Sequence, residues 1–299
     1  MKASEKYQID SPLGRNQRRK FGSLFLVSNK VSGAKGVMKI VTKTSQSQLA
    51  EERLKGEASF HFDIEGLPEI LDIIETDQEI MVVRKYIPGE TIDRVLKRTK
   101  KRTQHVFLCN MLKQLGVLLN EIHHRGIYHC DLKPGNILID KENNVHLIDF
   151  GLALRKDEDS ERKLLFPLGY AAPELLLNHL DLVDHRTDYF ALGITLWRLY
   201  AGKIPLTHPN PSIFTNLQLT HPLPESHEIS SKMQKVLNKM CAKHSFQMPP
   251  NKMLDEEVKS LLSEAKEMRY GAFEEFFHDF VEAGNNGLFT RRYLDGIQG

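Results

Sequence analysis

Residues 129–136 read His-Cys-Asp-Leu-Lys-Pro-Gly-Asn, gathering an acid, a base and an amide into one short stretch. Asp131, Lys133 and Asn136 are the groups needed to accept a hydroxyl proton, to neutralise a phosphoryl group in flight and to hold a divalent metal beside it. Further on, Asp149 closes an apolar run and precedes Phe150 and Gly151. That places a second oxygen ligand well, because magnesium takes oxygen donors and keeps several waters and phosphate oxygens.

Such residues need elements to position them. The β-prone runs 21–27 and 36–41 alternate with turn-rich pieces, which predicts antiparallel hairpins. Lys39 ends the second run after apolar residues and could reach into a cleft, although a lone strand lysine is more often a solvated edge charge. Residues 44–62 are polar and helix-prone. Of their glutamates, Glu57 is the choice to face Lys39, near the helix middle, with Glu51 and Glu52 solvated. Strand-like runs at 70–74 and 79–83 lead to Lys85-Tyr86-Ile87-Pro88-Gly89, where Pro and Gly interrupt the pattern as a hinge would.

Beyond the hinge, apolar residues between 107 and 123 follow the 3.6-residue period of a half-buried helix. Residues 137–139 and 145–148 read as a short strand pair, and the charged stretch 152–168 has the pattern of a loop. The segment 187–200 is apolar on nearly every face, predicting a buried helix. At its start a buried Asp188 carboxylate can bond backbone amides of the 129–136 loop. Segments 233–241 and 253–265 read as amphipathic helices.

Size and charge set the frame. A chain of 299 residues is long enough for two lobes. With 40% apolar and 27% charged residues and a formal net charge of +2, there is no global pull towards nucleic acid or membrane. No apolar run is long enough to span a bilayer, and the N-terminal residues lack the apolar core of a signal peptide, so a cytoplasmic protein is expected. Cys109, Cys130 and Cys241 are scattered, suggesting neither disulfides nor a zinc site. The basic cluster at 97–102 reads first as a solvated helix end or loop and second as a dock for acidic substrates.

Lys39, Glu57, the 129–136 loop, Asp-Phe-Gly at 149–151, Ala-Pro-Glu at 172–174 and the 188–193 stretch occur in an order that resembles the eukaryotic-like serine/threonine protein kinase family. The resemblance covers residues 7–268. It implies an α+β, bilobal, protein-kinase-like fold: a small antiparallel β lobe with one helix (1–84), a hinge (85–89) and a larger, mainly α lobe (90–268). Residues 269–299 would form a helical C-terminal extension packed on the large lobe, or else a partner-docking segment. The implied activity is transfer of the γ-phosphoryl group of Mg-ATP to a protein serine or threonine. By resemblance, Lys39 contacts the α and β phosphates and pairs with Glu57, Asn136 and Asp149 bind Mg2+, Asp131 deprotonates the acceptor hydroxyl, and Lys133 offsets charge on the phosphoryl group. Tyr86 and Ile87 match the backbone that bonds adenine, and Leu24, Val37 and Leu138 the apolar clamp about the ring. Gly14 and Gly22 match the glycine-rich phosphate loop.

Several positions depart from the family pattern. The glycine-rich loop is degraded: counting back from Gly22, Gln17 and Arg19 stand where glycines are usual, or Gly14 is the first glycine with an insertion after it. Glycine there lets backbone amides approach phosphates closely. Arg18, Arg19 and Lys20 could compensate by charge or form a solvated basic loop. Cys130 replaces the arginine that anchors an activation-loop phosphate, so activity independent of such phosphorylation is implied, with Ser160 at most a secondary site. Pro167 stands where a threonine bonded to the catalytic aspartate and lysine is usual. Arg84 precedes the hinge in place of a medium apolar residue, and could narrow the back pocket or reach Glu57. Met248 replaces the arginine that pairs with the glutamate of Ala-Pro-Glu, and Arg269 is the candidate replacement partner for Glu174. Alternative readings are a pseudokinase acting as a nucleotide-binding scaffold and, disfavoured by Lys133-Pro134-Gly135 and Ala-Pro-Glu, a small-molecule kinase.

Overall fold

The computed structural model describes residues 3–13, 22–156, 165–244, 246 and 249–284. Two compact units emerge, one comprising Met1–Glu90 with Ile139–Ala153, the other Thr91–Leu138 with the chain from Leu154 onward. The segment after Leu138, which carries Asp149, therefore groups with the first unit.

In the first unit a short helix α1 (Ala3–Lys6) leads into β1 (Tyr7–Pro12), β2 (Ser23–Asn29) and β3 (Lys35–Thr42), followed by helix α2 (Gln48–Ser59), β4 (Ile70–Glu75) and β5 (Glu79–Lys85). The strands form one antiparallel sheet in the order β1-β2-β3-β5-β4. Alternation along the strands sorts side chains onto two faces. On one face Tyr7, Val27, Met38, Met81 and Val83 pack together. On the other, Val41, Ile80 and Val82 receive Ala50, Leu54 and Ala58 of α2. The register pairs Leu24 with Lys39, Lys39 with Val82, and Val37 with Arg84, so these residues share the α2 face. Contrary to the sequence reading, Glu57 sits in the last turn of α2 and not near its middle, because the helix stops at Ser59, where Phe60 turns to extended backbone.

β6 (Gly89–Thr91) precedes the helices of the second unit: α3 (Ile92–Arg98), α4 (Lys101–His124), and, after strands β7 (Ile127–Tyr128), β8 (Ile137–Asp140), β9 (Val145–Leu147) and β10 (Leu154–Arg155), α5 (Pro173–Leu176), α6 (His185–Ala201), α7 (Pro211–Thr220), α8 (Ser231–Met240), α9 (Asp255–Glu267) and α10 (Phe273–Ala283). α4 begins six residues before the periodic segment because its first turns are polar helix formers that carry no apolar stripe. α6 begins at His185 because the Asp184 carboxylate accepts the Arg186 N–H at 2.8 Å, and it ends at Gly202 in the left-handed conformation. Residues 187–197 of α6 are all buried, as expected of a helix apolar on every side.

α10 packs against α4 and α8. Phe273, Phe276, Phe277 and Phe280 are buried, and a Cβ at Gly116 of α4 would fall 2.4 Å from the Phe273 ring, so only glycine admits that ring. Among the described residues no helix is long and apolar enough to cross a membrane.

Candidate active-site residues in the two units

In the first unit the sheet delivers Lys39 to Glu57: Lys39 Nζ lies 2.9 Å from Glu57 Oε2 and 3.6 Å from Asp149 Oδ1. Burial pulls the Lys39 ammonium down, but attraction to Glu57 and Asp149 outweighs it and the net shift is upward, so the side chain is held charged. The other Glu57 oxygen, Oε1, is ion-paired with the Arg84 guanidinium. Arg84 is thus drawn to Glu57, one of the two roles its position suggested. Asp149 adopts a left-handed φ of 67°, a conformation that costs a non-glycine residue roughly 1 kcal/mol or more. It is held there by Phe150, whose ring packs 4.7 Å from Phe62 and 5.9 Å from Phe60. A Cβ at Gly151 would sit 3.4–3.7 Å from Asp149, Glu57 and Lys39, so the glycine keeps that side of the cluster open.

The remaining first-unit candidates fall into two groups. Leu24 and Val37 are half-buried on the Lys39 face of the sheet. Gly22 has φ 104°, and a Cβ there would lie 2.6 Å from the Ile40 carbonyl, so the position requires glycine for reasons of the sheet itself. Tyr86 donates its N–H to the Lys35 carbonyl at 3.2 Å, and the Ile87 carbonyl accepts from Gly89 at 2.9 Å. Gly14, Gln17, Arg18, Arg19 and Lys20 lie outside the described residues.

The second unit holds the 129–136 loop. Asp131 is buried, and its Oδ2 accepts from Lys133 Nζ at 2.6 Å and Asn136 Nδ2 at 3.0 Å. Its Oδ1, equally buried, accepts no hydrogen bond among the described residues. Asn136 Nδ2 also donates to the Asp131 carbonyl at 2.8 Å, which leaves the amide oxygen as the group available to a cation. The amide oxygen here and, in the first unit, the carboxylate of Asp149 are each hard oxygen donors of the kind Mg2+ takes, so by donor chemistry each residue fits that ion. Leu138 is half-buried on β8.

The loop is held from beneath by Asp188. Its carboxylate accepts the backbone N–H of His129 at 2.9 Å and of Cys130 at 2.8 Å, and lies 2.8 Å from His123 Nε2. Burial pushes the Asp188 carboxyl up, yet these bonds more than offset it and hold it below the usual range. Thr195 of the same helix donates to the Leu132 carbonyl at 3.2 Å. Cys130 itself has φ 58°, and burial pushes its thiol well above the ordinary value. A thiol kept neutral and buried is a poor redox group.

Glu174 finds its partner from the far end of the chain. Arg269 Nη1 lies 2.6 Å from Oε1 and Nη2 3.0 Å from Oε2, a bidentate pair joined by Thr187 Oγ1 at 2.8 Å. Met248 and Ser160 lie outside the described residues, and Pro167 is half-buried in irregular chain. Sequence reasoning missed His123, Thr195 and Gln218, whose Oε1 accepts the Gly169 N–H at 2.8 Å. His123 and Thr195 are polar residues in an apolar helix pattern, which signals burial but not a partner, and Gln218 lies on a short, partly polar helix with no such pattern.

Residues 7–270 match the protein kinase domain family. Serine/threonine-protein kinase ppk16 of Schizosaccharomyces pombe is 28% identical over 251 residues, covering 82% of this chain and 36% of that protein. Maternal embryonic leucine zipper kinase of Danio rerio is 28% identical over 256 residues, with 83% and 36% covered. Serine/threonine-protein kinase D2 of Homo sapiens is 28% identical over 207 residues, with 67% and 23% covered. The chain spans about a third of the length of the first two of these relatives. With its ordered motifs, its five-stranded antiparallel sheet with α2, its mostly helical second unit and a family match over most of its length, the chain belongs to the protein kinase family.

Proposed function

We propose that the chain transfers the γ-phosphoryl group of ATP to a serine or threonine hydroxyl of a protein, in a cytoplasmic setting. The observation that carries this reading is the Asp131 carboxylate: Lys133 and Asn136 engage Oδ2, while Oδ1 accepts no hydrogen bond among the described residues and so has a lone pair for a hydroxyl proton. In such a transfer the nucleophile must be oriented and its proton accepted as the new O–P bond forms and the bond to the leaving oxygen breaks. Asp131 does the first, and Lys133, 2.6 Å from it, offsets charge on the equatorial oxygens. Lys39, kept charged by Glu57, holds the α and β phosphates. Asn136 and Asp149 would hold Mg2+, which when bound neutralises the β and γ phosphates. In the first unit Leu24 and Val37 are the apolar side chains offered to adenine, with Ile87 supplying backbone groups.

The test is transfer of labelled γ-phosphate in the presence of magnesium, comparing the purified chain with Asp131→Asn. Transfer by the first and not the second is the expected result. A chain that binds ATP yet transfers nothing to itself or to a generic acceptor would instead be a nucleotide-binding scaffold, the reading that Pro167 in place of a threonine favours.

Activity without a phosphate on the 152–168 segment follows from Cys130, an uncharged side chain where the anchoring arginine is usual. Ser160→Ala protein prepared free of phosphate should therefore keep full activity. Loss of activity restored only by phosphate at that position would overturn this.

A further inference from the structure

We propose that Arg84 is a positioning residue that clamps Glu57 from inside the sheet, so that the Lys39–Glu57 pair is assembled by β5 itself and Lys39 stays available to nucleotide phosphates. The proposal rests on the reading of Lys39 as the phosphate-holding group.

Arg84 is 9% exposed and stands on β5 between Val37 of β3 and Ile70 of β4. Neither neighbour can compensate a guanidinium, and a buried cation is stable only beside an anion. Glu57 Oε1 is that anion. Glu57 in turn has its own need for cations. It is 3% exposed and lies in the last turn of α2, a turn that has no basic residue. A carboxylate there faces the negative end of the helix dipole, which opposes its charge. β3 and β5 meet it from two sides, Lys39 on Oε2 and Arg84 on Oε1.

The cluster of Lys39, Arg84, Glu57 and Asp149 carries two charges of each sign. If Arg84 were neutral, Lys39 would be the cation facing Glu57 at 2.9 Å, and could turn to a phosphate only by uncovering a buried Glu57. With Arg84 present, Glu57 stays compensated when Lys39 moves. The consequence is specific: Arg84 supports nucleotide affinity and the order of α2, whereas a residue that only fills space supports neither selectively.

Arg84→Met keeps the length and removes the charge, and Arg84→Lys keeps the charge. For Arg84→Met the dissociation constant and KM for ATP should rise about tenfold, in line with couplings in buried charge networks, with KM for the protein acceptor unchanged. Amide hydrogen exchange across residues 48–59 of the nucleotide-free chain should quicken by about tenfold. Arg84→Lys should stay within about twofold of the parent in both measurements. A space-filling role would lower the active fraction, hence kcat, and leave KM for ATP where it was. Arg84→Met with parental ATP affinity and parental exchange in α2 overturns the proposal. Should Arg84→Met fail to fold, Arg84→Gln takes its place, and equality of Gln and Lys variants overturns it too. Exchange and ATP binding are read without turnover, so a chain that transfers no phosphate would sink the kinase reading and leave this test intact.

Discussion

Asp131 and Glu174 are two carboxylates in the same unit, 2% and 1% exposed, and their surroundings differ. Glu174 has both oxygens engaged by Arg269 and a further bond from Thr187, and the Arg269 side chain is itself fully buried. Among the described residues Asp131 has one oxygen engaged and one without a hydrogen bond, and its cation partner Lys133 is 30% exposed. A buried anion whose acceptor sites are all filled can only hold structure, while one with an acceptor in reserve can take a proton from something else. Burial alone does not separate them.

The sharpest way to break this contrast is to remove one charge at each site. Asp131→Asn should lower phosphoryl transfer by about 10²–10⁴-fold while leaving the urea midpoint of the chain unchanged. Arg269→Met should do the reverse. Stranding the Glu174 carboxylate costs about 3–5 kcal/mol, read as a lowered urea midpoint, with turnover per folded molecule preserved. Adding Glu174→Leu should recover most of that loss, since a matched apolar pair is often as stable as the ion pair it replaces. A fall in turnover matching the fall in stability would merge the two roles.

Gly116→Ala supplies a lesion of packing without charge. The new methyl collides with the Phe273 ring, which should cost about 1–3 kcal/mol and leave ATP and acceptor KM untouched. The smallest effect lies in pH. Burial pushes the Glu174 carboxyl up, but the Arg269 charge outweighs it and holds the folded value below the ordinary 4.5. The unfolded chain therefore binds the proton more readily. Stability from this group is complete above 4.5 and is lost as pH falls through the lower folded value. Urea midpoints measured from pH 5 downward should fall more steeply for the parent than for the Arg269→Met, Glu174→Leu double variant. Equal slopes would show that the pair does not titrate as a unit.

Most elements of the fold could be read locally. The strands at 70–75 and 79–85 follow from short apolar runs, and the helices α4, α6, α8 and α9 from apolar periodicity, because each helix buries a single stripe or, for α6, every side. Their ends were less legible. α4 starts earlier than its apolar stripe and α2 ends just past Glu57, since polar helix formers and a turn to extended backbone leave no periodic trace. α3 and α7 had no such signal, being short and partly polar. Among site residues, Asp131, Lys133 and Asn136 were legible because they lie within one loop whose local geometry brings them together.

By itself the sequence determined the inventory: which acids, bases and amides are present, their order along the chain, and the two-lobed pattern of strands followed by helices. The pairs Lys39–Glu57, Glu174–Arg269 and Asp188 with the 129–136 loop can be named from sequence as candidates. Only the tertiary structure decided long-range pairings that carry no sequence signal: His123 with Asp188, 65 positions apart, Thr195 with Leu132, 63 apart, and Gln218 with Gly169, 49 apart. Periodicity reports which side chains are buried, not which buried charge meets which. That choice is made by strand register and helix packing, where an uncompensated ion would cost more than the fold can spare. Arg84 shows the rule most plainly, for in sequence it could either narrow the back pocket or reach Glu57, and in the folded sheet it lies against that carboxylate, which Lys39 also needs.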